Sequence, residues 1–443
     1  MTVVASTKVT HAAALRGTIS VPSDKSIAHR AFICAALAAG ESRISLRTPG
    51  EDVRSTLRAL QSLGVEAEAT EFEDGLEVNV VGLGDAGVIG RLGGGVADCG
   101  NSGTSMRLLA GALASGSGTA SLVGDASLSR RPMARVADPL RAMGAEIDLS
   151  DGHAPVSVRG QRPLRAMGHR LPVASAQVLG ALTLASLAAS GTTTVSVPGV
   201  VRDHTERMLA ALGADITRTT DSNGTTTSIT GPGGLRSFEM SVPGDFSSAS
   251  AWIMAGAIHA DAHLQLRGVG LNPTRTALLD VLRAMGAQID VQHEGEQAGE
   301  PVGSIQVRGG PSLSAVTLGA ADVAPLIDEL PLLAVAMAAA RGTSEVRGAS
   351  ELRIKESDRI AAMAAALTLI GANVEELEDG WRISAGRPLD ASIVTHSDHR
   401  IAMAAAVAAW TGVAAGAVLD DPECVAISYP TFWRDARLIG IES

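Results

Sequence analysis

Aromatic residues are nearly missing from this chain: one tyrosine, four tryptophans and five phenylalanines occur among 443 residues. Its cores must be built from alanine, leucine, valine and isoleucine, and a hydrophobic content of 46% is ample for that. Cysteine is scarce as well. Cys34, Cys99 and Cys424 are odd in number, widely spaced and without a Cys-x-x-Cys pair. That excludes a disulfide framework and a thiolate zinc site, and points to reduced thiols in the cytoplasm. Positive charge is in deficit, with a formal net charge of −11. A general nucleic-acid or anionic-membrane surface is thereby excluded, so an anionic ligand has to be captured by a local basic cluster. No uncharged apolar run reaches 18 residues, and the stretch from Met1 to Leu15 has no apolar signal core. A soluble, cytoplasmic protein of two or more domains is expected.

Lysine is the most informative shortage. Only Lys8, Lys25 and Lys355 occur among 36 basic residues, and two of these lie in dense polar motifs. An ammonium is a compact point charge whose pKa moves readily on burial, whereas a guanidinium is wide and always charged. Lys355 belongs to Leu352-Arg353-Ile354-Lys355-Glu356-Ser357-Asp358-Arg359, just before an alanine-rich helix expected to begin near Ile360. Lys25 belongs to Asp24-Lys25-Ser26-Ile27-Ala28-His29-Arg30, where Ser26 and Arg30 share a helix face. A helix N-terminus carrying such side chains suits a phosphate. In Gly100-Asn101-Ser102-Gly103-Thr104-Ser105-Met106-Arg107, glycines permit close backbone approach and polar side chains supply donors.

Each motif alone also fits a solvated helix start or an ordinary turn. Arg130-Arg131-Pro132, Ser175-Ala176-Gln177, Arg202-Asp203-His204 and Asp398-His399-Arg400 are weaker still. Asp328-Glu329 interrupts the apolar run from Ala324 to Ala340. A carboxylate there is costly unless it is paired or functional.

Internal repetition organises the whole chain. A helix end followed by glycine and a short β-like run recurs at Gly64, Gly144, Gly213, Gly286, Gly371 and, less clearly, Gly440. Glycine there suits the left-handed position that ends a helix. Alanine-rich helices leading into strands are interleaved with these, which makes six units. Ser20-Val21-Pro22-Ser23-Asp24 and Ser241-Val242-Pro243-Gly244-Asp245 nearly match half a chain apart. Two similar lobes of three units follow, 1–22 plus 243–443 and 23–242, with the first strand joining the C-terminal lobe and a ligand cleft between the lobes.

Taken together and in order, these motifs resemble those of the EPSP synthase family, the 3-phosphoshikimate 1-carboxyvinyltransferases, over essentially the whole length. The resemblance implies an α/β fold of two lobes, each of three βαβαββ units, as in enolpyruvyl transferases. It implies transfer of the enolpyruvyl group of phosphoenolpyruvate to the 5-hydroxyl of shikimate 3-phosphate, with release of phosphate. No metal or organic cofactor is implied, and neither nucleic acid nor membrane is a partner; a monomer is expected. Carried over residue by residue, it implies that shikimate 3-phosphate is held by Lys25, Ser26, Arg30, Ser175, Ala176, Gln177, Arg202 and Asp328. Phosphoenolpyruvate is implied to lie against Lys25, Asn101, Gly103, Arg131, Gln177, Lys355, Arg359 and Arg400. Asp328, Glu356 and Lys25 are implied to be catalytic. The herbicide glyphosate is implied to occupy the phosphoenolpyruvate site. Two positions depart from some members: Ile427 stands where they have lysine, and Ser127 where they have arginine. The alternatives are a UDP-amino-sugar enolpyruvyl transferase, which uses a catalytic cysteine, and a non-catalytic phosphometabolite-binding protein.

Overall fold

The computed structural model describes residues 6–84, 95–222 and 224–441. Two units form, one of Met1–Pro22, Gly244–Gly295 and Pro301–Ser443, the other of Ser23–Pro243 and Glu296–Glu300. The partition differs from the expected one at Pro243 and at the short segment Glu296–Glu300. The reason for the second difference is local. The Glu300 carboxylate is fully buried and lies 2.8 Å from His204 Nδ1, inside the Ser23–Pro243 unit. Each unit has its own hydrophobic core.

In the Ser23–Pro243 unit three sheets repeat one plan. The central strands are Ala38–Arg47, Thr119–Val123 and Ala189–Val197. Each has a parallel neighbour on one side (Glu239–Ser241, Gly95–Asp98 and Gly168–Arg170) and an antiparallel hairpin on the other. The other unit follows the same plan around Ala262–Gly270 and Thr343–Val346, and a three-stranded version of it, with one antiparallel strand in place of the hairpin, around Gly416–Leu419. Its N-terminal segment supplies two strands where one was expected. Leu15–Ile19 lies parallel to Ala262–Gly270, and Thr7–Thr10 lies antiparallel to Gly416–Leu419.

Two kinds of helix alternate. Outer helices such as Glu51–Ser62 and Ala277–Ala284 are amphipathic. They end at Gly64, Gly144, Gly213, Gly286, Gly371 and Gly440, all with φ between 89° and 109°. A side chain with a Cβ resists that conformation, so glycine is what lets each helix stop and turn into the hairpin. The inner helices are Lys25–Leu37, Gly103–Ala114 and Ala176–Ser186 in one unit, and Phe246–Ile258, Leu330–Ala339 and His399–Trp410 in the other. Beyond their first two turns they are apolar on every side, and they are buried nearly throughout, as such a pattern requires.

Small residues let the inner helices touch. A Cβ on Gly111 would lie 2.1 Å from the Ala181 carbonyl oxygen and 2.7 Å from its Cα, both backbone atoms. Neither can swing aside, so the helices would have to part. Gly111→Ala is expected to destabilise the protein by about 1–3 kcal/mol, read as a lower urea midpoint at unchanged slope. The few aromatics are concentrated. Trp252, Trp410, Tyr429, Phe432 and Trp433 form one cluster of stacked and edge-to-face rings within the unit that contains the C-terminus. Its polar atoms are satisfied by Trp252 Nε1 donating to the Tyr429 hydroxyl, which donates to Asp435. Among the described residues no helix is long and apolar enough to cross a membrane.

Candidate functional site

Three of the motifs open inner helices of the Ser23–Pro243 unit. A helix start leaves backbone N–H groups without intrahelical partners and concentrates positive potential. Here the caps are Asp24, accepting from Ile27 N at 3.0 Å, Ser102, accepting from Ser105 N at 3.2 Å, and Ser175, accepting from Val178 N at 3.4 Å. Side chains tie the first two starts together. His29 Nδ1 lies 2.7 Å from the Thr56 hydroxyl, which in turn bonds to Ser105, and Ser105 bonds to Ser102. Burial, helped by Lys25 and Arg30, lowers the His29 pKa to about 3, so its ring stays neutral.

In this unit Arg30 is buried, with Nη1 on the Ser26 carbonyl at 2.8 Å and Nε on the Thr205 hydroxyl at 2.7 Å. Lys25 is half-buried, 3.8 Å from Asp52. Asn101 accepts from Arg131 Nη2 at 2.8 Å through Oδ1 and donates to Asp125 at 2.7 Å through Nδ2. Gln177 lies between Arg107 and Thr104, with Oε1 2.6 Å from Arg107 Nη1 and Nε2 2.9 Å from Thr104 Oγ1. Gly103 sits against both guanidiniums, because a Cβ there would be 2.7 Å from Arg107 Nη1 and 3.1 Å from Arg131 Nη1. Ala176 opens its helix, and Arg202 stands half-buried just before the His204–Ala211 helix.

The other unit holds Asp328, Lys355, Glu356, Arg359 and Arg400, and two hubs hold Arg359 and Arg400. Asp398 is the first. Fully buried, it accepts from Arg359 Nε at 2.8 Å, Arg359 Nη2 at 3.2 Å, the Ser357 hydroxyl at 2.9 Å and Arg400 N at 2.9 Å. Burial opposes its ionisation, but these donors, Arg359 foremost, hold its pKa below the usual carboxylate range. Arg359 Nη2 also reaches Glu356 Oε2 at 2.7 Å, and that carboxylate is otherwise exposed. Lys355 pairs with Glu351.

Ser247 is the second hub. Its carbonyl accepts from Arg400 Nη1 at 3.2 Å, and its hydroxyl bonds to buried Glu329 while accepting from Arg275 Nη2 at 2.6 Å. Burial pushes the Glu329 carboxyl up, with Arg275 opposing. Asp328, the preceding residue, is half-buried.

The sign of the Asp398 shift makes a testable statement. An unfolded aspartate titrates near ~3.9, above the native value, so the stabilisation is complete above that pH and is lost as pH falls through the native pKa. Asp398→Asn strands a buried guanidinium. It is expected to cost about 3–5 kcal/mol at pH 7. Parallel denaturant titrations should show the gap from the unmodified protein narrowing as pH drops below about 4.

Residues 9–436 match the family described as EPSP synthase (3-phosphoshikimate 1-carboxyvinyltransferase). The chain belongs to that family. It is 48% identical over 433 residues to the 3-phosphoshikimate 1-carboxyvinyltransferase of Gloeobacter violaceus, covering 96% of this chain and 97% of that one. The enzyme of the same name from Salinibacter ruber is 46% identical over 442 residues, covering 98% and 99%. Among solved structures, EPSP synthase from Acinetobacter baumannii superposes with a TM-score of 0.88 at 38% identity and 98% coverage of both chains. The enolpyruvyl transferase NikO from Streptomyces tendae, at 21% identity and a TM-score of 0.73 over 98% and 97%, shares the fold. The architecture is that of the enolpyruvyl transferases.

Against this EPSP synthase background, several residues outside the expected ligand set gain a place. Arg107, Thr205, Ser247, Arg275 and Glu329 are each buried and polar and bonded to a motif residue or its neighbour. A buried charge in an apolar segment was the available signal for Glu329; nothing in the sequence singles out Ser247. Ile427, one of the departures, is 62% exposed at the end of a 3₁₀ turn, and Ser127 precedes another.

Proposed function

We propose that this chain transfers the enolpyruvyl group of phosphoenolpyruvate to the 5-hydroxyl of shikimate 3-phosphate, releasing phosphate, in the shikimate route to aromatic amino acids. One observation carries the reading. A chain matching the EPSP synthase family over residues 9–436 retains anion donors at its helix starts together with the carboxylates of Asp328 and Glu356. A simple anion binder has no use for those carboxylates.

In the proposal Lys25, Ser26, Arg30, Ser175, Ala176, Gln177 and Arg202 hold shikimate 3-phosphate. Asn101, Gly103, Arg131, Lys355, Arg359 and Arg400, with Lys25 and Gln177 shared between the two ligands, receive phosphoenolpyruvate, whose phosphate and carboxylate suit guanidinium forks. In the addition step the 5-oxygen bonds to C2, its proton passes to Asp328, and C3 receives a proton from Glu356. In the elimination step C3 returns a proton to Glu356, the C2–O bond to phosphate breaks with the proton held by Asp328 passing to the departing phosphate, and the enol ether forms. Lys25 and Lys355 stabilise the charge that develops between these steps. The enzyme acts as a cytoplasmic monomer, which size-exclusion chromatography tests.

Phosphate release is the deciding assay. Release should require shikimate 3-phosphate, and a UDP-amino sugar should not replace it; the reverse preference overturns the reading. The cysteine-dependent alternative is disfavoured by the thiols themselves, because burial pushes Cys34, Cys99 and Cys424 up to about 12. A thiolate is the reactive form. Iodoacetamide at pH 8 is therefore expected to leave the native protein unlabelled and fully active, with mass spectrometry as the check.

A further inference from the structure

We propose that Arg107 is a positioning residue that holds the Gln177 carboxamide with its oxygen turned inward and its NH2 group available to bound substrate. The inference rests on the functional reading above, which makes Gln177 a ligand of both substrates.

A carboxamide has nearly the same shape with its oxygen and nitrogen exchanged, so its partners decide which atom points where. The Thr104 hydroxyl, 2.9 Å away, can donate or accept and is indifferent. A guanidinium only donates. The Gln177 atom 2.6 Å from Arg107 Nη1 must therefore be the oxygen. The nitrogen then faces Thr104, which takes one of its two hydrogens and leaves the second. Phosphate and carboxylate oxygens only accept, so they meet a donor at Gln177 rather than a repelling carbonyl.

The arginine is itself well held. It is 6% exposed, one turn inside the Gly103–Ala114 helix, and Nη1 also lies 3.4 Å from the Gly103 carbonyl. Among the described residues its Nε has no hydrogen-bond partner, so this one edge of the guanidinium makes the hydrogen bonds. Burial, with Arg135 and Arg131 nearby, lowers its pKa to about 10, which still leaves it a cation at neutral pH.

Arg107→Met removes the donor and keeps the length. It is expected to lower kcat/KM roughly 10- to 100-fold, as for loss of a buried hydrogen bond to a charged group. Arg107→Lys, which can only donate, should recover most of the loss. Gln177→Glu keeps the inward oxygen and a partner for Arg107 but has no NH2, so it should remain folded and be at least as impaired as Gln177→Met. Arg107→Met added to Gln177→Met should cost nothing further. Multiplicative losses in the double variant, equal losses in the lysine and methionine variants, or full activity in Arg107→Met would each overturn the proposal.

A second readout needs no turnover. In spectra of the 15N-glutamine-labelled protein, the Gln177 NH2 pair is identified by its absence in Gln177→Met. It should show slow solvent exchange in the unmodified protein and in Arg107→Lys, and fast exchange in Arg107→Met. An unchanged NH2 pair in Arg107→Met defeats the proposal whatever the kinetics. An unmodified chain that releases no phosphate defeats the functional reading, while the NH2 signals still decide the role of Arg107.

Discussion

Glu356→Gln is expected to lower kcat by roughly 10²–10⁴-fold while leaving the binding of shikimate 3-phosphate unchanged. The surroundings of Glu356 make this substitution informative. Its carboxylate meets Arg359 Nη2 at 2.7 Å and is otherwise exposed, so a glutamine oxygen can take the same hydrogen bond. Arg359 does not depend on that contact for its place, because Asp398 grips it through Nε and Nη2 from the buried side. The anion donors thus stay where they are, and only the group proposed to exchange a proton with C3 is removed. Titration calorimetry with shikimate 3-phosphate and steady-state phosphate release together check the split. Near-normal turnover removes Glu356 from the reaction; an equal loss of binding shows that the substitution disturbed the ground state instead.

The second large effect is expected at Gly103. Glyphosate should inhibit the unmodified enzyme competitively against phosphoenolpyruvate, and Gly103→Ala should relieve that inhibition strongly with a smaller loss of substrate affinity. Two distinct causes act. The methyl takes space that the longer inhibitor needs more than phosphoenolpyruvate does, so one ligand is rejected by a clash. The same methyl would lie 2.7 Å from Arg107 Nη1 and 3.1 Å from Arg131 Nη1. Those are side-chain ends, which can move, but Arg107 is bonded to Gln177 and Arg131 to Asn101. The displacement therefore reaches residues assigned to phosphoenolpyruvate, which is the source of the smaller loss. Inhibition and Michaelis constants for both proteins check this. An unmodified enzyme already insensitive, or an alanine variant that weakens both ligands equally, removes Gly103 as the discriminating position.

Much of this architecture was legible in the residue order, since its determinants are local. A helix that must stop and turn left-handed selects glycine, and all six repeat glycines adopt that conformation. A helix start selects a short acceptor, and Asp24, Ser102, Ser175, Asp358 and Asp398 each accept a backbone N–H from the turn they open. Helices apolar on all faces had to lie inside. Family membership too was readable from motifs in order.

Tertiary structure alone decided which side chains meet. Arg107 and Gln177 are 70 positions apart, Arg359 and Asp398 are 39 apart, and Ser247 and Glu329 are 82 apart. Such pairs depend on how each buried helix is rotated and how closely small residues such as Gly111 let neighbours approach. Helical period alone specifies neither when every face is apolar. The sequence by itself thus determined the repeat, the turns, the caps and the chemistry on offer. Packing determined how Gln177 is oriented, what holds Arg359, and that the first 22 residues add a second strand, beyond the one the half-chain repeat implied, to sheets built by the C-terminal half, because those outcomes are set by contacts between segments far apart in the chain.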